Sequence, residues 1–264
     1  VDKVPAEHTF LDLSDYARPF ALWLVKRLPP FVTPIHLTLT FTAVGSIAAG
    51  LFALDTLLPL AGLLLILKSG LDAADGSLAR YRQTPSRIGR FLDSVCDFIV
   101  TGLVFSGMAF AQWQTQPDNT VWVVAALAAL SATFQCSVFS YYYVRYRAQT
   151  GGDRTSRVQE TGEGFERDDP RLLAVLFTLY RLIYGWQDWL IARLDFRLAR
   201  QAPITPGFLT ATTVLGLGTQ LLVIAICATL SQPFVACYLF LVPFNLYWLI
   251  LFGLRYVTRL STVG

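Results

Sequence analysis

Four aspartates, Asp72, Asp75, Asp93 and Asp97, stand inside stretches that are otherwise apolar enough to cross a bilayer. Asp72, Asp75, Gly76 and Ala79 recur every three or four residues and share one face of a helix, while Gly89, Asp93 and Asp97 recur at four and share a face of the next. A hairpin turning near residue 84 sets Asp75 level with Asp93 and Asp72 level with Asp97, at about 1.5 Å per residue. Four carboxylates then converge. An ionisable group at membrane depth costs at least about 2.5 kcal/mol, and like charges repel, so a cation must share the site. Oxygen ligands without His or Cys suit Mg²⁺ or Mn²⁺. Four carboxylates suffice for two such ions if some bridge, the usual device for clamping a transferring phosphoryl group. Gly76, Ala79 and Gly89 leave room for a bulky ligand, and Arg80, Arg82, Arg87 and Arg90 put cations where a phosphate would lie.

The elements that must hold these residues are helices. The chain has 264 residues, 54% hydrophobic and 15% charged, and its mean hydropathy is positive. Apolar stretches at Leu37 to Leu54, Phe98 to Ala111, Val121 to Phe139, Leu209 to Leu230 and Phe234 to Leu254 are of membrane-crossing length. The alternation of a β-barrel is absent. The expectation is an all-α integral membrane protein with six transmembrane helices and an N-terminal interfacial amphipathic helix. The second and third crossings are Leu57 to Arg82 and Ile88 to Ala111, joined around Pro85; the fourth is Val121 to Tyr146.

Residues 1–30 form the interfacial part, its helix within 9–28, and residues 31–264 the transmembrane catalytic domain. That domain includes a loop and surface helix at about 148–203, because Arg181, Asp188 and Arg193 interrupt the apolar pattern of 171–200. Thr33 with Pro34 in "VTPIHLT", echoed by "ITPGFLT", marks helix entries. Lys and Arg collect on alternate connections, which puts the basic segments and both termini in the cytoplasm. Val1 to Arg18 is polar, so no cleavable leader is expected there, and the lack of a Met at position 1 points to trimming.

Blander roles compete at several positions. Arg82, Arg87 and Arg90 also serve as positive-inside anchors, and Lys68, one turn before Asp72, reads as an ion-pair partner or snorkelling side chain. His36, Tyr141 to Tyr143, Trp186 and Trp189 read as interfacial residues. The four cysteines lack metal-ligand spacing and read as apolar fillers, although Cys227 and Cys237 flank an external turn and could pair.

The pattern Asp72-x-x-Asp75-Gly76-x-x-Ala79-Arg80, then Gly89-x-x-x-Asp93-x-x-x-Asp97, resembles the complete signature of the CDP-alcohol phosphotransferase family over about 26 residues. The resemblance implies an enzyme that displaces CMP from a CDP-alcohol with a second alcohol, using two divalent ions. It implies that Asp72, Asp75 and Asp93 bind metal and that Asp97 both binds metal and deprotonates the incoming hydroxyl. Asp75, Gly76, Ala79, Arg80 and Gly89 would form the CDP site. "SYYYVRYRAQTGG" and "GEGFERDDPR" are similar to family segments that face the acceptor, which nominates Arg145, Arg167 and Arg171. Where many members have Pro-Asn, this chain has Pro34 and Ile35.

The preferred reading is phospholipid synthesis. CDP-diacylglycerol would enter from the bilayer and a polar alcohol, one carrying phosphate by the basic cluster at 145–171, from the cytoplasm. A CDP-choline or CDP-ethanolamine donor with a diacylglycerol acceptor uses the same aspartates. A cation transporter explains the carboxylates but not Gly76, Ala79 and Arg80 at their spacing. The family likeness also implies a homodimer in a bacterial or archaeal cytoplasmic membrane, with the active site facing the cytoplasm and no nucleic-acid partner.

Overall fold

The computed structural model describes residues 4–152, 156, 160–199 and 203–263, with side chains described as far as residue 257. Among these the regular structure is all helical: α1 (Arg18–Val25), α2 (Pro34–Ala53), α3 (Leu58–Tyr81), α4 (Arg87–Thr115), α5 (Thr120–Gln149), α6 (Pro170–Tyr180), α7 (Trp186–Ala199), α8 (Pro206–Thr212), α9 (Leu217–Thr229), α10 (Val235–Leu241) and α11 (Pro243–Val263). By length and composition, four helical stretches could cross a membrane: Pro34–Ala53, Arg87–Thr115, Thr120–Gln149 and Val235–Val257. The pair Pro206–Leu215 and Leu217–Thr229, bent by 42°, makes a fifth if taken as one span. α3 has 24 residues, enough to cross, but Lys68, Asp72, Asp75 and Arg80 lower its hydropathy.

Helix boundaries follow local chemistry. α2 starts at Pro34, with a capping box in which Thr33 Oγ1 accepts from the His36 backbone N–H and the Thr33 N–H is bonded to His36 Nδ1 at 3.0 Å. Thr205 caps α8 in the same manner, again with Pro at the first position. The helical part of the N-terminal segment is shorter than the expected 9–28. Pro19 sits in the first turn of α1, where a proline is tolerated but from which a helix does not continue backward. Short 3₁₀ turns at Ala6–His8 and Leu13–Asp15 precede it.

α2, α3 and α4 pack side by side, α9 covers α3, and α5 joins α4 to α10. Where α2 crosses α4, a Cβ at Gly107 would stand 2.5 Å from the Ala49 carbonyl oxygen, so only glycine permits that approach. One apolar cluster, including Phe52, Leu65, Phe105, Met108 and Phe240, fills the bundle at the end remote from the aspartates. All four cysteines are free thiols, so Cys227 and Cys237 are not a disulfide; both are buried, as apolar fillers would be.

The turn between α3 and α4 is tightly held. Gln83 adopts a positive φ of 54°, and Ser86 Oγ accepts from the Gly89 N–H to cap α4. The Arg82 guanidinium donates to the carbonyls of Leu28, Pro29, Pro30 and Val32, clamping the segment that leads into α2. α6 and α7 are joined by one π-helical turn, Arg181–Gly185. They form a long element running from the N-terminus of α4 to the C-terminal part of α5, with Leu172, Val175, Leu182, Trp186, Trp189 and Phe196 exposed.

Candidate active site

α3 and α4 turn their polar faces toward a cavity of about 1030 Å³ that is also lined from α2, α5 and the α6–α7 element. Asp72, Asp75, Gly76, Ala79, Arg80, Gly89, Asp93 and Asp97 all line it. The hairpin brings these residues to one cavity, where the carboxylate group among the described residues holds Asp72, Asp75 and Asp93 but not Asp97. One ligand oxygen from each of Asp72, Asp75 and Asp93 lies within 4.8 Å of the others.

Each carboxylate has a different setting. Asp75 is buried, and its Oδ2 accepts from Thr38 Oγ1 on α2 at 2.7 Å, which fixes the rotamer. Asp93 Oδ1 is buried with no hydrogen-bond partner among the described residues. Asp97 is ion-paired with Lys68 Nζ, which also reaches Asp72 Oδ2 at 3.4 Å. Lys68 is itself only 1% exposed, with its ammonium 4.6 Å from the centroid of Phe41. Lys68 is thus the ion-pair partner its spacing suggested.

These residues fit a divalent cation. The donors are all carboxylate oxygens, the choice of hard ions. A buried acceptor atom with no donor, Asp93 Oδ1, is costly unless a cation or proton donor satisfies it. Arg80 folds back along α3, so that a Cβ at Gly76 would lie 3.4 Å from its Nη1. Gly76 therefore keeps the guanidinium and the helix backbone both open to the cavity.

The remaining arginines separate into two groups. Arg167 and Arg90 line the cavity, and so does Arg147, whose guanidinium lies 4.8 Å from the ring of Tyr143. Arg145 is not in the lining; it pairs with the fully buried Asp195 of α7, as does Arg255 at 3.2 Å. Arg171 is exposed in the first turn of α6, its N–H donating to the capping Asp169 at 3.0 Å. Arg87 is buried and binds Glu160 at 2.5 Å and the Thr161 carbonyl at 3.0 Å, while Arg90 donates to Ser156 and Ser94.

Asp168 completes this strap over the start of α4. Its carboxylate accepts from Ser86 Oγ at 2.6 Å and from the N–H groups of Arg87 and Phe165 at 2.9 Å. Burial works against the carboxylate form, but those hydrogen bonds outweigh it and hold the Asp168 carboxyl below its usual range. Thr38, Arg147, Glu160, Asp168, Tyr180, Tyr184 and Asp188 were not nominated from sequence. Only Thr38 carried a usable signal, one turn after the Pro34 entry.

Carboxylates on two helices of an apolar bundle, Asp75 buried and the others half-buried, face a roomy cavity rimmed by arginines, a setting that suits a divalent cation and an anionic ligand. The sequence profile of the CDP-alcohol phosphatidyltransferases matches residues 31–192, and the chain belongs to that family. It is 34% identical over 154 residues to a bifunctional IPC transferase and DIPP synthase of Thermococcus kodakarensis, covering 57% of this chain and 33% of that protein. It is 34% identical over 117 residues to cholinephosphotransferase 1 of Gallus gallus, covering 40% of this chain and 35% of that protein. It is 31% identical over 136 residues to an archaetidylinositol phosphate synthase of Pyrococcus horikoshii, covering 50% and 64%. The chain spans about a third of the length of the first relatives it matches.

Proposed function

We propose that this protein transfers a substituted phosphate from CDP-diacylglycerol to a phosphorylated polyol and releases CMP. The observation that carries the reading is the convergence of Asp72, Asp75 and Asp93 within one cavity shared with Gly76, Ala79 and Arg80. Asp72, Asp75, Asp93 and Asp97 would hold two divalent ions, Mg²⁺ or Mn²⁺, whose contribution when bound is Lewis-acid polarisation of the phosphoryl oxygens.

The chain's own residues do the rest. Arg80 and the open backbone at Gly76 and Gly89 bind the nucleotide diphosphate. Lys68 holds the Asp97 carboxylate in place by their ion pair. The acceptor hydroxyl gives its proton to Asp97, and its oxygen forms a bond to the phosphorus that carries the lipid alcohol. The bond from that phosphorus to the oxygen bridging toward cytidine breaks, and CMP leaves with the electron pair.

Arg147 and Arg167, which line the cavity, support an acceptor carrying phosphate. The name of the Pyrococcus relative, an archaetidylinositol phosphate synthase, favours the same class. Counting α3 as a crossing gives six, with the aspartate end of the bundle on the cytoplasmic side with the basic connections. A homodimer is the assembly the family likeness implies.

The test is CMP release by purified protein given CDP-diacylglycerol or CDP-choline, each with a panel of acceptors that includes inositol phosphate, glycerol phosphate and diacylglycerol. Release from CDP-diacylglycerol with a phosphorylated polyol is expected. Turnover only with CDP-choline and diacylglycerol would assign the donor the other way round.

A further inference from the structure

One wall of the cavity comes from an element whose sequence pattern points to no site. Tyr180, Tyr184 and Asp188 all line the cavity, opposite the face of α4 that bears Arg90, Asp93 and Asp97. Eight residues of regular α-helix would rotate the last of these by about 80° from the first. The π turn at Arg181–Gly185 takes up that rotation and keeps the three side chains in line. Single π turns inside helices occur frequently at functional sites.

The hydrogen bonding of this wall is incomplete on one side. Tyr184 donates to the Ser94 carbonyl at 3.1 Å, adjacent to Asp93 in the chain. Tyr180 packs against Tyr184 in a tilted arrangement, ring centroids 5.3 Å apart, and its hydroxyl donates to Asp188 Oδ2 at 3.0 Å. Asp188 Oδ1 makes no hydrogen bond among the described residues, although the residue lies in the cavity wall. A carboxylate oxygen open to the cavity can accept a hydrogen bond from a donor that fills it.

We propose that Tyr180, Tyr184 and Asp188 form the subsite that selects the acceptor, with Asp188 accepting a hydrogen bond from a non-reacting hydroxyl of a polyol. This rests on the phosphotransfer reading above and adds a determinant of acceptor chemistry to it. The charged neighbour on this wall is Arg90, whose guanidinium lies 5.5 Å from the centroid of Tyr180, so a neutral hydroxyl can donate to Asp188 there without placing a second cation beside it.

The experiment uses the full chain in detergent with Asp188→Asn, which keeps an acceptor for the Tyr180 hydroxyl but can present an amide donor to the ligand. The KM for inositol phosphate should rise about tenfold or more, as for a lost charged hydrogen bond, while the KM for CDP-diacylglycerol stays within twofold. Asp188→Glu, which retains the charge but moves it, should also alter the acceptor KM selectively. Binding is read independently by the melting-temperature shift that inositol phosphate, glycerol phosphate or choline produces. Polyol phosphates should stabilise the wild type and stabilise Asp188→Asn less. Equal shifts in both proteins, no shift of the wild type with either polyol phosphate, or a larger wild-type shift with choline, would overturn the proposal. Intact polyol binding without CMP release would leave this subsite standing and sink the proposed reaction instead.

Discussion

Two buried clusters of charge lie within this bundle, and they are built on opposite principles. On α5, α7 and α11, Asp195 receives Tyr142 Oη at 3.0 Å, Arg255 at 3.2 Å and the Arg145 guanidinium, with Arg255 also donating to the Pro203 carbonyl at 3.0 Å. On α3 and α4, Asp72 and Asp97 share one buried ammonium, Lys68, and Asp93 Oδ1 has no donor among the described residues. In the first cluster donors surround the Asp195 carboxylate, and none of its residues lines the cavity. The second is open and short of positive charge. Buried polar networks that are satisfied fix a structure, whereas one left unsatisfied is tolerated where a ligand completes it. The contrast separates Arg145, paired with Asp195 away from the cavity, from the aspartates that face the cavity and carry the proposed chemistry.

Exchanging charges in each cluster should give opposite results. Asp93→Asn should reduce CMP release by a factor of about a thousand or more, comparable to removing a key charge-stabilising group. It should not lower the melting temperature, because it relieves repulsion among the carboxylates. Asp195→Ala should do the reverse. Removing the carboxylate shared by Arg145 and Arg255 should destabilise the protein by about 3–5 kcal/mol, read as a loss of melting temperature or folded yield, with turnover per folded molecule preserved.

Smaller changes probe the edges of the same contrast. Thr38→Val removes the hydroxyl that orients Asp75 and should weaken metal binding about 10- to 100-fold, measured from the Mn²⁺ dependence of CMP release. Arg147→Gln should raise the KM for a phosphorylated acceptor about tenfold, while Arg145→Gln should act chiefly on stability. The mildest effect concerns the strap over α4. Because the Asp168 carboxyl is held below its usual range, its contribution is complete above the unfolded value of about 3.9 and is lost as pH falls through the lower folded value. Amide protection factors at residues 160–168, taken against the intrinsic exchange rate at each pH, should therefore hold at neutral pH and fall only below about pH 4, whereas Asp168→Asn should lower them at neutral pH.

The sequence made the aspartate hairpin legible because its information is local: periods of three and four residues around a turn fix which side chains meet. Lys68 was readable for the same reason, one turn from Asp72. The arginines were not. Arg145 and Arg147 are two residues apart, about 200° around the helix, and α5 is buried on many sides, so its pattern does not say which one faces the cavity. The partners of Arg87, Arg90 and Asp168 lie 66 to 82 residues away in the chain, and nothing in their own segments announces them. The charges Arg181, Asp188 and Arg193 in the α6–α7 segment point to a surface helix. Its contribution to the cavity depends on a π turn, which has no hydrophobic period to betray it.

The decisive measurement is CMP release by chelator-stripped protein supplied with CDP-diacylglycerol and inositol phosphate while Mg²⁺ or Mn²⁺ is titrated back. The proposed reaction predicts no CMP without a divalent ion, saturable recovery with the wild type, and no recovery with Asp93→Asn at any concentration tested. CMP release that is indifferent to divalent ions, or metal-dependent ion flux with no CMP from any CDP-alcohol, would contradict it.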